Sequence, residues 1–593
     1  MTKQRRFHSH AMAPGIAIGK AHRLARRGFI IPHYWIQDKH IVQEIKRFRQ
    51  ALQKTRSQLS SIQAKLCRIQ GHEQIGIIES HRLFLKDDLF VAGTIDLIQE
   101  TKINAEWALE KIIAQLKLSF LSVQDDFFRD RQQDIEQTGY RVISHLIGNE
   151  DIAFSSLPEG PLILIAHDIA PAEVVMIPRE HVLGFVTESG GEASHTAIIS
   201  RTLEIPAILG VSNALDMIRD GETIVLDGMK GLVIASPAKK ELQQYKMIQR
   251  KYEALEQLLM QDIHLPTVTK DGVHIRLEAN IEFVSEVTSA IQHGAEGIGL
   301  YRTEFLFLNR LHEPSEEEQI ENYMEVLKRF HPRPVTIRTL DLGADKLGLI
   351  QDHEEEQNPA LGLRAIRLCL REKTLFKTQL KALLRASTIG NLRILIPLVS
   401  HVEEIRQVKK ILQEVQKDLK RKKIPFAEKI PLGIMIEIPS AAIMADQLAK
   451  EVDFFSIGTN DLLQYSLAID RTNELVSHLF TPYHPFLFRL LQFVVAAGER
   501  RGIPVSVCGE VAADPLMIGI LAGLKFDSLS MNSVSIPRAK KIVRSLSSEN
   551  AEKLFGKVMS LSSAEEVEHL LRLETKKMPK TVQELDELSA SLP

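Results

Sequence analysis

The sequence predicts a multidomain α/β protein: an α/β domain with an inserted helical bundle, followed by a C-terminal (β/α)8 TIM barrel. Three observations predict it. Between Trp35 and Ile147 only helix-period patterns occur, with strand-like runs on either side. After Pro266, eight strand-like runs alternate with helical stretches. Between the halves, Lys239 to Met260 reads as one polar helix with a single apolar stripe.

The first strand is Pro14–Ala21, entered by a turn at Gly15, with the apolar run Phe29–Ile31 behind it. Ile41, Ile45, Phe48, Leu52, Leu59, Ile62 and Leu66 then recur at steps of four and three with one position skipped, so a long amphipathic helix with a packing seam follows. Helical patterns continue around Ile78–Leu85, Phe90–Ile98, Ala105–Leu116 and Gln133–Leu146. Strand-like runs return at Leu162–Ala166, Val182–Val186, Ile205–Leu209, Thr223–Leu226 and Leu232–Ala235. The predicted domains are therefore 1–34 with 148–236 (α/β), 35–147 (helical), 237–265 (linker helix), 266–545 (barrel) and 546–593 (helical tail). In the tail, Ser563 to Glu566 has the spacing of a capping box.

The chain has 593 residues, 44% hydrophobic and 25% charged, with a formal net charge of −2, which predicts a globular protein without a nucleic-acid surface. Its 3 cysteines are far apart and form neither a disulfide framework nor a zinc site, as expected in the cytoplasm. No apolar run is long enough to cross a bilayer, and no secretory leader is read at Met1–His10.

Two constellations carry chemistry. The first is Gly190-Gly191-Glu192-Ala193-Ser194-His195-Thr196-Ala197-Ile198-Ile199-Ser200-Arg201. A double glycine lets backbone approach a ligand, and the start of a helix favours an anion, so His195 stands as a nucleophile at a phosphate-friendly spot. The second lies just past the predicted barrel strands Ile275–Ile281, Gly297–Tyr301, Val335–Leu340, Leu392–Leu398, Leu432–Ile436, Phe454–Ile457, Val505–Val507 and Asp527–Met531. There Asn280, Arg302, Arg338, Glu437, Asn460, Asp461 and Cys508 fall at strand ends, where barrel active sites are built. Arginine forks match phosphate and carboxylate, the carboxylates suit Mg²⁺, and a thiol can protonate a carbanion or enolate.

The His195 string, Gly-Ile-Gly-Leu-Tyr-Arg-Thr-Glu-Phe (297–305), Asn-Pro-Ala-Leu-Gly-Leu-Arg-Ala-Ile-Arg (358–367), Ser-Ile-Gly-Thr-Asn-Asp-Leu (456–462), Tyr-His-Pro (483–485) and Val-Cys-Gly-Glu (507–510) resemble, in this order, the phosphoenolpyruvate-utilising enzymes. The likeness is greatest to the Enzyme I family of the bacterial sugar phosphotransferase system. It implies that His195 takes a phosphoryl group from phosphoenolpyruvate and passes it to a histidine of the phosphocarrier HPr, docked on the helical insertion. It implies that Glu437 and Asp461 bind Mg²⁺ and that Arg302, Arg338, Arg364, Arg471, Asn460 and Asp461 hold phosphoenolpyruvate. Cys508 would protonate the enolate to give pyruvate, and the family implies a homodimer through the barrel.

This chain departs from the pattern at Ala172, Val174 and Ala193, which stand for hydroxyl residues, and at Ala344 and Ala513, which stand for glycines. Two alternatives stay open. A weakly active or non-catalytic regulatory relative would retain the fold without the transfer. Another phosphoenolpyruvate enzyme, such as phosphoenolpyruvate synthase, would need a nucleotide-grasping domain, and no glycine-rich phosphate loop precedes His195.

Overall fold

The computed structural model describes residues 4–13, 15–24, 31–69, 84–85, 87–121, 126–148, 160–169, 181–189, 205–308, 313–343, 358–471, 473 and 475–590. His195 and its flanking string, the departures at 172, 174, 193 and 344, and most of the predicted 78–85 helix lie outside these. The chain divides into two compact units, Met1–Ala254 and Leu255–Pro593.

In the first unit, strands β1 (Arg5–His8), β2 (His10–Ala13), β3 (Ile16–Leu24), β4 (Leu162–Ala166), β5 (Val182–Thr187), β6 (Ala207–Leu209), β7 (Thr223–Asp227) and β8 (Leu232–Ala235) form one sheet. The order is β1-β8-β7-β3-β4-β5-β6-β2. Strands β3, β4, β5 and β6 run parallel, and β3–β7 and β7–β8 are antiparallel. β4, a run of five apolar residues, is buried along its whole length, as a strand covered on both faces must be. The pair β1 and β2 is an addition to the predicted set. Arg-Arg-Phe-His and His-Ala-Met-Ala have no β-branched residues, and they edge the sheet through pairing with β8 and β6.

Helices Ile41–Ile69, Asp88–Thr101, Ala105–Leu121 and Asp126–Ile147 stand between β3 and β4 in sequence. Their separate core is built on Phe48, Leu52, Leu59, Phe90, Leu109 and Ile143. One buried charge cluster ties them together. Arg47 donates to Glu44 Oε1 at 2.7 Å, Glu106 Oε1 at 2.6 Å and the Leu146 carbonyl at 3.1 Å. Glu44 in turn accepts the Ala105 N–H at 2.9 Å, and Asn104 donates to Glu106 Oε2 at 2.9 Å.

The helix Lys239–Met260 carries the boundary between the units. Its first turn is held by Glu241, which accepts from Gln4 at 2.7 Å and pairs with Arg6. Tyr245 is fully buried one turn further on. Beyond its last turn, Lys540 Nζ donates to the Ile263 and Leu265 carbonyls at 2.7 and 3.0 Å, Lys541 pairs with Asp262 at 2.6 Å, and Arg544 donates to the Pro266 carbonyl at 2.7 Å.

The second unit closes a parallel barrel from β9 (Arg276–Ile281), β10 (Ile298–Tyr301), β11 (Val335–Arg338), β12 (Leu392–Ile396), β13 (Leu432–Ile436), β14 (Phe454–Ile457), β15 (Val505–Val507) and β16 (Ser528–Met531). All eight predicted strands are present, three of them (β13, β14 and β15) with identical bounds at both ends and the others trimmed by a residue or two. Alternation sorts their side chains. Leu392, Ile394 and Ile396 of β12 join the core beneath the helices, whereas Leu395 joins Leu300, Met435, Phe454 and Cys508 in a separate apolar cluster. After the barrel, the helix Ala564–Thr575 carries the Ser563/Glu566 capping box, and the helix Lys580–Ala590 buries Val582 in the barrel core. Ala513 lies in the 3-10 turn Glu510–Ala513 without a positive φ, so alanine there meets no left-handed penalty.

Candidate active site at the barrel mouth

The C-terminal strand ends gather the predicted groups at one rim. At the end of β11, Arg338 is buried and pairs with Glu304 at 3.1 Å and Asp341 at 2.8 Å. Its Nε has no hydrogen-bond partner among the described residues. Arg364 reaches the same carboxylate, Asp341, at 2.8 Å, and approaches Asp461 at 3.7 Å. Ala365, next in sequence, has φ +50°, a left-handed conformation that costs a non-glycine residue about 1 kcal/mol or more. Tyr465 fixes the Arg364 loop through the Ala360 carbonyl at 2.7 Å.

Glu437, just past β13, is 2% exposed. Its Oε1 accepts the N–H of Leu398, a leucine at φ +57°. Its Oε2 lies against the β14 loop, since a Cβ on Gly458 would come within 2.8 Å of it. Burial raises the Glu437 carboxyl to about 8, and the Asp461 and Asp341 carboxylates add to the rise against Arg338. Burial also raises Glu304, whereas at Asp341 Arg338 and Arg364 outweigh burial and hold the carboxyl low.

Asn460 and Glu510 bond reciprocally, side chain to side chain at 2.9 Å and Glu510 N–H to Asn460 Oδ1 at 3.1 Å, which ties the β14 and β15 loops. These loops touch at Gly509, where a Cβ would meet Thr459 Oγ1 at 1.9 Å. Cys508 is buried, with Sγ 3.4 Å from the Ile457 carbonyl. Burial raises its thiol to about 11, and Glu437 adds to that, against Arg338 and Arg302. Asn280 donates to the Cys508 carbonyl at 3.0 Å. Arg302 pairs with Glu282 and keeps part of its surface.

The predicted residues Arg338, Arg364, Glu437 and Asp461 thus converge with Cys508, and Arg302 and Asn460 stand on the same rim. Arg471 is exposed beyond the helix Thr459–Leu467, and among the described residues its backbone N–H contacts Gln464 at 3.4 Å. Glu282, Glu304, Asp341 and Glu510 were not singled out from sequence. All four follow a predicted arginine, asparagine or thiol position by two or three residues, and that spacing is the signal that could have found them.

Residues 256–548 match the family described as PEP-utilising enzyme, PEP-binding domain. Residues 8–131 match the PEP-utilising N-terminal family, and residues 158–231, which include His195, match the PEP-utilising mobile domain. The class is that of phosphoenolpyruvate-utilising enzymes. The chain is 40% identical over 565 residues to phosphoenolpyruvate-protein phosphotransferases of Bacillus sp. (strain S) and Geobacillus stearothermophilus, covering 95% of itself and 97% of each relative. It is 40% identical over 553 residues to that of Bacillus subtilis (strain 168), covering 93% of itself and 96% of the relative. The chain belongs to the phosphoenolpyruvate-protein phosphotransferase family.

Proposed function

We propose that this enzyme moves the phosphoryl group of phosphoenolpyruvate onto His195, releases pyruvate, and passes the group to a histidine of the phosphocarrier HPr. The observation that carries this reading is the pairing, at one barrel mouth, of arginine forks with a thiol that keeps its proton at neutral pH. Arg338, Arg364, Arg302 and Arg471 bind the phosphate and carboxylate oxygens, with Asn460 assisting. Neutral imidazole of His195 attacks phosphorus, the P–O bond to the enolate oxygen breaks, and the Cys508 thiol delivers its proton to the methylene carbon, giving pyruvate.

The donor set fits Mg²⁺. Two carboxylates, Glu437 and Asp461, repel one another in a partly dry site, and Mg²⁺ takes one or two carboxylates together with phosphate oxygens and water. Among the described residues no group of three or more such ligands forms, so a site completed by substrate and water is what the residues support. When bound, the ion neutralises charge on the transferring phosphoryl group.

No helix of the described residues is long and apolar enough to cross a membrane, in keeping with a cytoplasmic enzyme. A homodimer through the barrel is supported by Ile443, Met444 and Phe493, apolar residues exposed on helices that pack on one another. The helical region between β3 and β4 is the docking candidate for HPr.

The test is to incubate the protein with phosphoenolpyruvate labelled in its phosphate, with and without Mg²⁺. Acid-labile label is expected with Mg²⁺ and is expected to vanish in His195→Ala. A folded wild-type protein that takes no label would put the regulatory reading first, and labelling by ATP would favour a synthase-like enzyme.

A further inference from the structure

The opposite end of the barrel holds a second cluster of charge that the transfer chemistry does not use. A cavity of about 310 Å³ opens there, among the residues that precede β11, β12 and β13, and its lining includes Asn391, Arg393, Lys429 and Pro431. That volume is at the lower end of small-ligand sites. Arg393 is the second residue of β12. It shares the strand face of Leu395 rather than the helix-facing side of Leu392 and Ile394.

Arg393 is the unusual member. Its side chain is 25% exposed, and its nearest carboxylate, Glu278 Oε1, is 3.8 Å away, beyond hydrogen-bond length. Glu278 Oε2 is already engaged by Ser528 at 3.0 Å, and Oε1 is shared with Arg276 at 3.5 Å. No hydrogen bond from the Arg393 guanidinium is recorded among the described residues, although burial works against its charge. The guanidinium nitrogens reach solvent, Glu278 Oε1 is the buried atom without a hydrogen-bond partner among the described residues, and the fork's donors stay available to an oxyanion entering the cavity. Asn391 beside it is 9% exposed, and its Nδ2 donates to the Leu327 and Arg333 carbonyls at 3.2 and 2.7 Å, while Oδ1 has no partner. Lys429 brings a second cation to the lining, and Gly390, at φ +99°, leaves open space where a side chain would stand. The adjoining chain is basic as well, with Lys417, Lys420, Arg421, Lys422 and Lys423 leading into the cavity loop.

We infer that this cavity binds a small organic anion, with its carboxylate or phosphate head on Arg393 and Lys429 and its apolar body on the prolines. The site is separate from the mouth and belongs to the barrel floor, a face that in this fold ordinarily carries stability rather than ligands. A fork geometry favours a planar or tetrahedral oxyanion, and a second cation favours a doubly charged one.

The experiment uses the full chain, with phenyl phosphate, benzoate and phenol as probes. Binding is read by calorimetry, and by the rise of Tm with probe concentration. Phenyl phosphate or benzoate is expected to bind and raise Tm, and whichever binds more tightly identifies the head group. Arg393→Met is expected to weaken that binding at least tenfold, and the surface change Lys429→Ala at least threefold. Arg393→Met is further expected to leave Tm unchanged or higher without probe, because an arginine serving only the fold would lower it on removal. Binding that survives both substitutions would belong to the mouth and would overturn the inference. So would equal binding of phenol, or no binding of either anion at millimolar concentration.

Discussion

Two arginines in this molecule, Arg47 partly exposed and Arg338 buried, each sit between two carboxylates, and they do opposite things. At Arg47 the carboxylates are completed. The two terminal nitrogens of its guanidinium serve Glu44, Glu106 and a backbone carbonyl, and the two carboxylates also accept from Ala105 and Asn104. The cluster joins three helices. Arg338 is left incomplete. It answers Glu304 and Asp341, yet its Nε has no partner, and Glu437 nearby is held with a raised carboxyl by burial and by the charge of Asp461. A charge cluster that satisfies itself is architecture, and one that retains unanswered charge is arranged for something that arrives later.

This contrast can be broken at several points. The largest effect is expected from Glu437→Gln, which should lower Mg²⁺-dependent phosphoryl transfer by on the order of 10³-fold while leaving Tm equal or raised, because a repulsion is removed. A fall in Tm with activity retained would make Glu437 architecture like Glu44. Next, Cys508→Ala should cut pyruvate release by roughly 10²-fold, measured by coupled assay.

The same thiol makes a pH prediction. Burial moves it from an ordinary 9.0 to about 11, so the folded state keeps the proton that the unfolded chain gives up. Its contribution to stability is whole below pH 9 and is lost as pH rises through about 11. Correspondingly, alkylation of Cys508 by iodoacetamide at pH 9 should be slower than that of a free thiol, and unfolding in urea should restore the ordinary rate.

A smaller effect is expected at the completed cluster. Arg47→Met leaves Glu44 and Glu106 without a cation, and should cost about 2 kcal/mol in urea unfolding of the first unit. That figure lies below the 3–5 kcal/mol typical of a fully buried pair, since the Arg47 side chain is 35% exposed. Binding of phosphoenolpyruvate to the barrel should not change. At the bottom of the series, breaking the exposed Glu549–Lys553 pair by Glu549→Gln should leave Tm unchanged, which calibrates what an exposed ion pair contributes.

The sequence exposes the barrel well because inward and outward positions alternate and six of the eight strands end in a polar group. Arg338 and Glu437 could be found by position alone. Their partners are signalled only by spacing. Glu304 and Asp341 stand in Thr-Glu-Phe and Leu-Asp-Leu, where they read as turn residues; Asp341 reaches Arg338 from three residues on, and pairing of β10 with β11 brings Glu304 to it. The strands β1 and β2 escaped for a different reason. Their partners, β8 and β6, lie some two hundred residues away, and a short segment rich in histidine and arginine gives no local sign of pairing. Arg364 was expected from family resemblance, and the geometry gives it a physical position between Asp341 and Asp461.

The helix Lys239–Met260 has a mechanical consequence. One end is pinned through Glu241 to Gln4 and Arg6, and the chain just past the other is pinned by Lys540, Lys541 and Arg544. Each end is thus held within its own unit. The compliant length is then the run between Tyr245 and Asp262, rising about 1.5 Å per residue, and its amides are where reversible opening should concentrate. Stiffness there becomes a quantity that substitution of the exposed Gln, Lys and Glu can tune while Leu255 and Leu259 stay buried.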